Sequence, residues 1–413
     1  MKKRTIAALT VAFTAAIAVS ATSPAAGGKI VVWTDFDGPE LEWFTKTSEA
    51  FSKTPAAGGA TVELQKVNLG ESRDKFIQSA PKGEGPDLIA TIPHDQIGQF
   101  AAAGVLEPMS KYIDTAFKAD VAASALDGFS YNGKLFGVPM WGEAVAIVYN
   151  KKLLPGGVPK TWDEFIATAQ KLTNADKQDF GFLAPIGIQY HMYGIYQAMG
   201  AYVFGKNKDG SLNSKDIGLG NEGAAKAAQV INDLRFKYKL IPEGAEDGGV
   251  IKDLFTKGKV AMMLTGPWDL GDVKKAKIDF GIALMPKPNG AVKAWTPFVG
   301  VRGLVMNSYS KNKEATAAFA KYLVKNEQQI SLNQVGGRVP ISKSAVRKLA
   351  KDPTVAGFGA AIAAGVPMPN IPAMGQVWGP WGNALGLSIK EQSPDFKKLH
   401  VEAAKQIAEA INK

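Results

Sequence analysis

Two acids and three tryptophans carry most of the chemistry that the chain could perform. Glu143 sits in the apolar run Pro139-Met140-Trp141-Gly142-Glu143-Ala144-Val145, and Asp95 follows the strand-like stretch Asp87–Ile92. Trp268 closes the run Gly266-Pro267-Trp268, while Trp378 and Trp381 follow the loop Met368-Pro369-Asn370-Ile371-Pro372. An acid in an apolar setting can stay protonated and act as a general acid. A pair of carboxylates at a defined separation is the equipment of a glycosidase. The same residue types also serve binding without reaction. The C–H faces of a sugar lie on aromatic rings, and its hydroxyls donate to ionised carboxylates. A tryptophan at a strand end is more often core than site, yet each of these adjoins Gly or Pro at an expected cleft edge. Binding is the preferred reading and hydrolysis the alternative.

The rest of the composition removes other chemistries. Among the 413 residues there is no cysteine, which excludes disulfides, thiolate nucleophiles and thiolate metal sites. The three histidines, His94, His191 and His400, are far apart in sequence, so no metal centre is expected and no cofactor is implied. Gly218-Leu219-Gly220-Asn221-Glu222-Gly223 has the letters of a dinucleotide fingerprint but follows the polar stretch Asn213–Ile217. It therefore reads as a loop entering a helix. The basic clusters Lys151-Lys152, Lys274-Lys275-Lys277 and Lys397-Lys398 are short and not interleaved with aromatics. They read as solvated faces and helix ends, and no nucleic-acid partner is expected.

The elements that must position these residues alternate between strand and helix. Lys29–Trp33 reads as a buried strand, and Gly38-Pro39 opens a helix with Leu41, Phe44, Ser48 and Phe51 on one face. Thr61–Val67 predicts a strand, Arg73–Ala80 a helix, Asp87–Ile92 a strand, and the chain after Asp95 a helix ending at Gly104. Such alternation predicts an α/β fold with a largely parallel sheet, its ligand site beyond the carboxyl ends of the strands. A second α/β body begins near Tyr149, with Thr161-Trp162-Asp163-Glu164 as a capping box. Ala224–Tyr238 and Ile251–Lys257 predict helices, and Val260–Thr265, Phe280–Leu284 and Pro297–Asn307 strands. No long linker separates the bodies, so several short crossings and an enclosed cleft are expected.

At the N-terminus, Lys2, Lys3 and Arg4 precede the apolar run Ile6–Val19 and small residues through Ala21. Residues 1–21 are expected to be a secretory signal, giving a soluble extracytoplasmic protein without a lipid on cysteine. Its removal would lower the formal charge from +10 by three, to +7.

Several segments in order carry a resemblance: Gly85-Pro86-Asp87-Leu88-Ile89, Asn132-Gly133-Lys134-Leu135, Glu143-Ala144, Tyr149–Pro155 and Pro159–Glu164. Lys257–Met262, Gly266-Pro267-Trp268, Pro297–Val301 and Met368–Pro372 follow, the last three being the most specific. Together they resemble the maltose/maltodextrin-binding proteins of bacterial ABC importers over essentially the whole mature chain. The resemblance implies a two-lobed periplasmic-binding-protein (type II) fold with the ligand between the lobes. It places residues 28–142 and 303–347 in an N-lobe and 146–299 and 352–413 in a C-lobe. It also implies a monomeric, non-enzymatic protein whose partners are an oligosaccharide and the membrane permease subunits of an importer.

Residue by residue, it implies ligand carboxylates at Asp37, Asp95 and Glu143, aromatic contacts at Tyr190, Trp268 and Trp378, and a cleft-lining Met368. The chain departs from the prototype at Gln96, which replaces an arginine, and near Ile92, where a tryptophan is missing. Ile188-Gln189 replaces an acid–proline pair, and Gly379 a tyrosine. Trp141 and Arg302 are expected to compensate. The preferred sugar stays open between maltodextrins, trehalose and longer α-glucans.

Overall fold

The computed structural model describes residues 27–412, so the expected signal segment lies outside the described residues. The first strand, β1 (Lys29–Thr34), leads to α1 (Gly38–Ser52), then β2 (Thr61–Lys66), α2 (Leu69–Ser79), β3 (Leu88–Pro93) and α3 (Ile97–Ala102). Asp37 caps α1 through the Gly38 N–H, with Pro39 in the first turn. Helix α2 starts four residues earlier than its hydrophobic pattern predicts, because the Asn68 side chain accepts the Gly70 N–H at 2.8 Å. Further on come β4 (Gly137–Ala144), β5 (Ala146–Asn150), α4 (Trp162–Lys171), β6 (Phe180–Leu183) and α5 (Gln189–Ala198). Thr161 caps α4 as its capping box predicts, accepting the Glu164 N–H at 3.3 Å.

The glycine-rich Gly218–Gly220 turn leads into α6 (Glu222–Arg235), capped by Asn221. After it follow α7 (Gly248–Thr256), β7 (Val260–Thr265), α8 (Leu270–Lys275), β8 (Phe280–Ala283) and β9 (Phe298–Met306). The chain ends with α9 (Lys313–Leu323), α10 (Asn326–Gly336), β10 (Val339–Pro340), α11 (Pro353–Ala364), β11 (Val366–Pro367), α12 (Trp378–Ser388) and α13 (Phe396–Ile411). Among the described residues no helix is long and apolar enough to cross a membrane.

Two sheets organise two bodies. The larger has seven strands in the order β10-β4-β9-β3-β1-β2, with β11 also on β9. The smaller has four in the order β8-β5-β7-β6. One face of the larger sheet packs Phe44, Phe51 and Phe319, and the other packs Phe76, Phe100 and Phe129. The smaller sheet has its own core around Phe165, Phe182, Ile231 and Met263.

The sheets are mixed, which corrects the largely parallel expectation. Strands β1, β2 and β3 are parallel, but β9 runs antiparallel to both β3 and β4. The physical reason is connectivity: β9 returns from the second body through the cleft edge, where the parallel strands end. It therefore has to run in the opposite direction.

The crossings are tied together. Strand β4 passes into β5 through Val145, and β9 begins beside β11 with Phe298 opposite Val366. His94 bridges these crossings: the Val301 N–H donates to its Nδ1 at 3.0 Å, and its Nε2 lies 2.9 Å from Met368 O. The backbone donor requires the proton on Nε2, and burial lowers the imidazole to about 4. Asn370 Nδ2 reaches the carbonyls of Asp127, Gly128 and Ser130 at 3.0, 3.2 and 3.0 Å.

Candidate functional site

The carboxyl ends of β1, β3 and β4 and the entry of β9 present one wall of a cleft. Five of its charged groups, Asp35, Glu40, Glu143, Arg302 and Arg338, are joined in a single network. Glu40, buried in the first turn of α1, accepts Arg338 Nε at 2.6 Å and Nη2 at 2.7 Å. The third arm of Arg338, Nη1, donates to Glu143 Oε2 at 2.7 Å. Arg302 on β9 donates from Nη2 to Asp35 at 2.9 Å, and its Nε lies 3.2 Å from Glu143 Oε1. Trp141 Nε1 also donates to Glu143 Oε2, at 3.0 Å. Glu143 is thus surrounded by two guanidinium groups and an indole N–H, not by the apolar neighbours its sequence setting predicts.

Asp95 is placed differently. It follows β3 in the turn His94–Gln96 and is 6% exposed. Its Oδ2 accepts the Trp378 indole N–H at 3.0 Å, while Oδ1 has no protein partner. Burial pushes this carboxyl up to about 6, although Trp378 and Arg302 oppose the shift. Gln96 Oε1 and Arg302 Nη1 are also buried without a protein partner. Each buried, unmatched polar group costs about 1–3 kcal/mol, so two acceptors and a donor are collected where a ligand could satisfy them. Asp37 instead sits at the exposed rim, where its hydrogen bonds from Lys66 and the Gly38 N–H hold its carboxyl below the usual range.

The strands reach this arrangement through irregular backbone. Register shifts in β9 occur opposite both β3 and β4, around Gly303. Thr91 in β3 has φ +76°, a left-handed conformation unusual for a β-branched residue. A Cβ on Gly303 would stand 2.3 Å from Val138 O, so only glycine fits between the two bulges. Bulges beside a site re-aim the chain ends that follow, here the segments bearing Asp95 and Glu143.

The opposite wall is aromatic. Tyr190 opens α5, Trp268 follows β7, and Trp378 opens α12. Tyr190 and Trp268 have ring centroids 6.1 Å apart, and Tyr190 stacks on Phe298 at 6.1 Å. Phe298 in turn lies 3.4 Å from Tyr193 in a parallel stack. Trp378 stacks at 5.9 Å on the fully buried Trp381, and Gln189 Nε2 donates to the Trp378 carbonyl at 2.6 Å. Next to Trp268, Asp269 accepts Thr265 Oγ1 at 2.5 Å, and burial pushes its carboxyl up to about 6.

The two walls enclose a cavity of about 730 Å³. Asp37, Asp95, Gln96, Glu143, Tyr190, Trp268, Arg302, Met368 and Trp378 all line it. Trp141 does not, which corrects its expected role as a replacement platform. It is 1% exposed, stacks on Phe36 at 5.4 Å and carries the Arg338 guanidinium over its ring. Trp381 is likewise core.

Sequence reasoning missed Asp35, Glu40, Gln189, Asp269 and Arg338, which also line the cavity. Glu40 stands just after Gly38-Pro39, in a helix turn where an acid is ordinary. No spacing links it to Arg338, almost 300 residues away. Among the described residues no cluster of His, Cys, Asp and Glu is arranged to hold a metal ion.

Residues 46–357 match the family described as bacterial extracellular solute-binding protein. The chain belongs to that family. A galactooligosaccharide-binding protein of Bacillus subtilis is 32% identical over 377 residues, covering 89% of this chain and 86% of the relative. A maltotriose-binding protein of Pyrococcus abyssi is 30% identical over 387 residues, covering 91% and 80%. Among solved structures, the maltotriose-binding protein of Thermus thermophilus, bound with maltotriose, is 49% identical with a TM-score of 0.89. It covers 92% of this chain and all of its own. The maltose-maltodextrin-binding protein of Alicyclobacillus acidocaldarius is 31% identical with a TM-score of 0.80, covering 93% of this chain and 100% of its own. The chain thus shares the two-lobed α/β frame of these solved binding proteins.

Proposed function

We propose that the chain is a non-enzymatic, extracytoplasmic solute-binding protein that captures a neutral oligosaccharide of the maltodextrin class. It delivers this sugar to the permease subunits of an ABC importer. One observation carries the reading: buried acceptors on Asp95 and Gln96 and a donor on Arg302 lack protein partners inside an aromatic-walled cavity. A polyol with an apolar ring face satisfies both sets of contacts. The remaining wall charges largely neutralise one another through Arg302 and Arg338, so an ionic ligand has little to pair with. Relatives named for maltotriose and maltodextrin add support. Each lobe holds part of the contact set, and hinge closure completes it.

A second reading is a galacto-oligosaccharide, favoured by the Bacillus subtilis relative. Calorimetry with maltotriose, maltose, trehalose and a galactotriose separates these ligands. Maltotriose is expected to bind most tightly and to be recovered intact after hours with the protein. Smaller sugars in the recovered ligand would establish a glycosidase, and heat from none of the four would sink the sugar reading.

A further inference from the structure

Helices α8 and α10 belong to different bodies. Leu270 and Val273 of α8 pack in the core of the smaller-sheet lobe, whereas Leu332 of α10 packs with Phe44 and Phe319 in the larger-sheet lobe. Trp43 fixes α10 further, donating from Nε1 to Ser331 Oγ at 3.0 Å. The two helices meet without any strand crossing between them.

The Lys274-Lys275-Lys277 run, expected on a solvated face, is split at this junction. Lys275 and Lys277 are exposed, but Lys274 is half-buried, with Nζ 3.1 Å from both Asn333 O and Gln334 O. These carbonyls lie in the last turn of α10, where intrahelical partners run out and a cation is favoured. Asn333 O also accepts the Gly337 N–H at 2.7 Å, with Gly337 left-handed at φ +77°. The next residue is Arg338. On the other side, α8 begins two residues after Trp268. The seam is tight: a Cβ at Gly271 would stand 3.3 Å from Pro39 Cγ and 3.4 Å from Val335 O.

We propose that Lys274 is a positioning residue that latches the closed form. Its ammonium, carried by the lobe of Trp268, caps the last turn of α10 in the lobe of Arg338 only while the two lobes are together. A sugar held between the walls is then retained by a contact outside the cavity. The latch rests on the sugar-binding reading for its effect on ligand, but its effect on lobe separation does not.

The test exploits the absence of native cysteines. Glu49→Cys and Lys226→Cys, both exposed and in different lobes, carry a donor and an acceptor dye on the parent, Lys274→Met and Lys274→Arg chains. Without sugar, Lys274→Met is expected to lengthen the mean interlobe distance, and Lys274→Arg to restore it. With maltotriose in stopped flow, Lys274→Met is expected to raise the dissociation rate about tenfold, as loss of a partly buried cation at a helix C-terminus would. The association rate and the ligand-free melting temperature should stay the same. An unchanged interlobe distance overturns the latch whether or not any sugar binds. A ligand-free melting temperature that falls, with no change in dissociation rate, reduces Lys274 to a fold role and also overturns it. A lengthened distance with no sugar binding to the parent would sink the sugar reading and leave the latch standing.

Discussion

The two walls of the cleft are built on opposite physical terms. On the larger-sheet side, Asp35, Glu40, Glu143, Arg302 and Arg338 hold one another by ion pairs, and Asp95 stands beside them. On the smaller-sheet side, Tyr190 and Trp378 are backed by Phe298 and Trp381, which belong to a hydrophobic core, and Trp268 lies against Tyr190 and His191. A charged wall is directional, because each side chain is fixed by its partners and only a few atoms remain for a ligand. An aromatic wall supplies area and tolerates shifts along its surface. Under the proposed function, selection and retention would be divided between the lobes: the charged wall would read the positions of hydroxyls, and the aromatic wall would grip ring faces.

The largest expected effect comes from breaking the charged wall at its centre. Arg338→Met removes the partner of Glu40 and one partner of Glu143, leaving buried carboxylates uncompensated. Such a loss costs about 3–5 kcal/mol of folding free energy. Urea denaturation should show this loss, and the added change Glu40→Gln should recover part of it. If Arg338→Met unfolds at the parental urea concentration, the network is not what holds this wall.

How much of this was legible from sequence differs between the walls. Trp268 and Trp378 could be found because each follows a strand or loop end beside Gly or Pro, and such local signals survive in one dimension. The β1–α1–β2–α2–β3 order and the capping box at Thr161 were also local, set by periodicity and by one side-chain hydrogen bond. The charged wall was not legible. Glu40, Glu143 and Arg338 come from a helix turn, a strand and a short edge segment that meet only through the tertiary fold. Glu143 was therefore read by its neighbours in sequence, which are apolar, and not by its neighbours in space, which are cationic. Antiparallel β9 escaped for the same reason: its direction depends on where the chain returns, not on its own residues.

The aromatic wall should be less sensitive in folding and more sensitive in binding. Trp378→Ala removes a ring that lines the cavity and the donor to Asp95. A central aromatic anchor of this kind contributes about 2 kcal/mol or more, which is roughly a thirtyfold loss of affinity. Trp378→Phe keeps an aromatic face but loses the N–H and the second ring of the indole, so its loss should be intermediate, about 1 kcal/mol or somewhat more. Calorimetry with the best-bound sugar measures both. Equal affinities for the alanine variant and the parent would remove Trp378 from the grip and leave the charged wall alone to hold ligand.

The smallest effect is a pH dependence that separates Asp95 from its counterpart Asp269 across the cleft. Burial raises both carboxyls to about 6 in the ligand-free protein, against about 3.9 for an unfolded aspartate. A raised acid favours folding below its unfolded value and loses that contribution as pH climbs through the folded one. Ionised Asp95 therefore opposes folding near neutrality, while its free Oδ1 awaits a donor. A sugar hydroxyl donating there favours the ionised form, so protons and sugar compete. Affinity should be level above about pH 7 and fall on acidification, by about tenfold at pH 5. Binding at pH 5 should release close to one proton, read as a dependence of the calorimetric heat on buffer ionisation enthalpy. Asp95→Asn should flatten the profile, because the amide cannot titrate. If Asp269→Asn flattens it instead, the titrating acceptor sits on the aromatic wall, and the division of labour between the lobes is wrong.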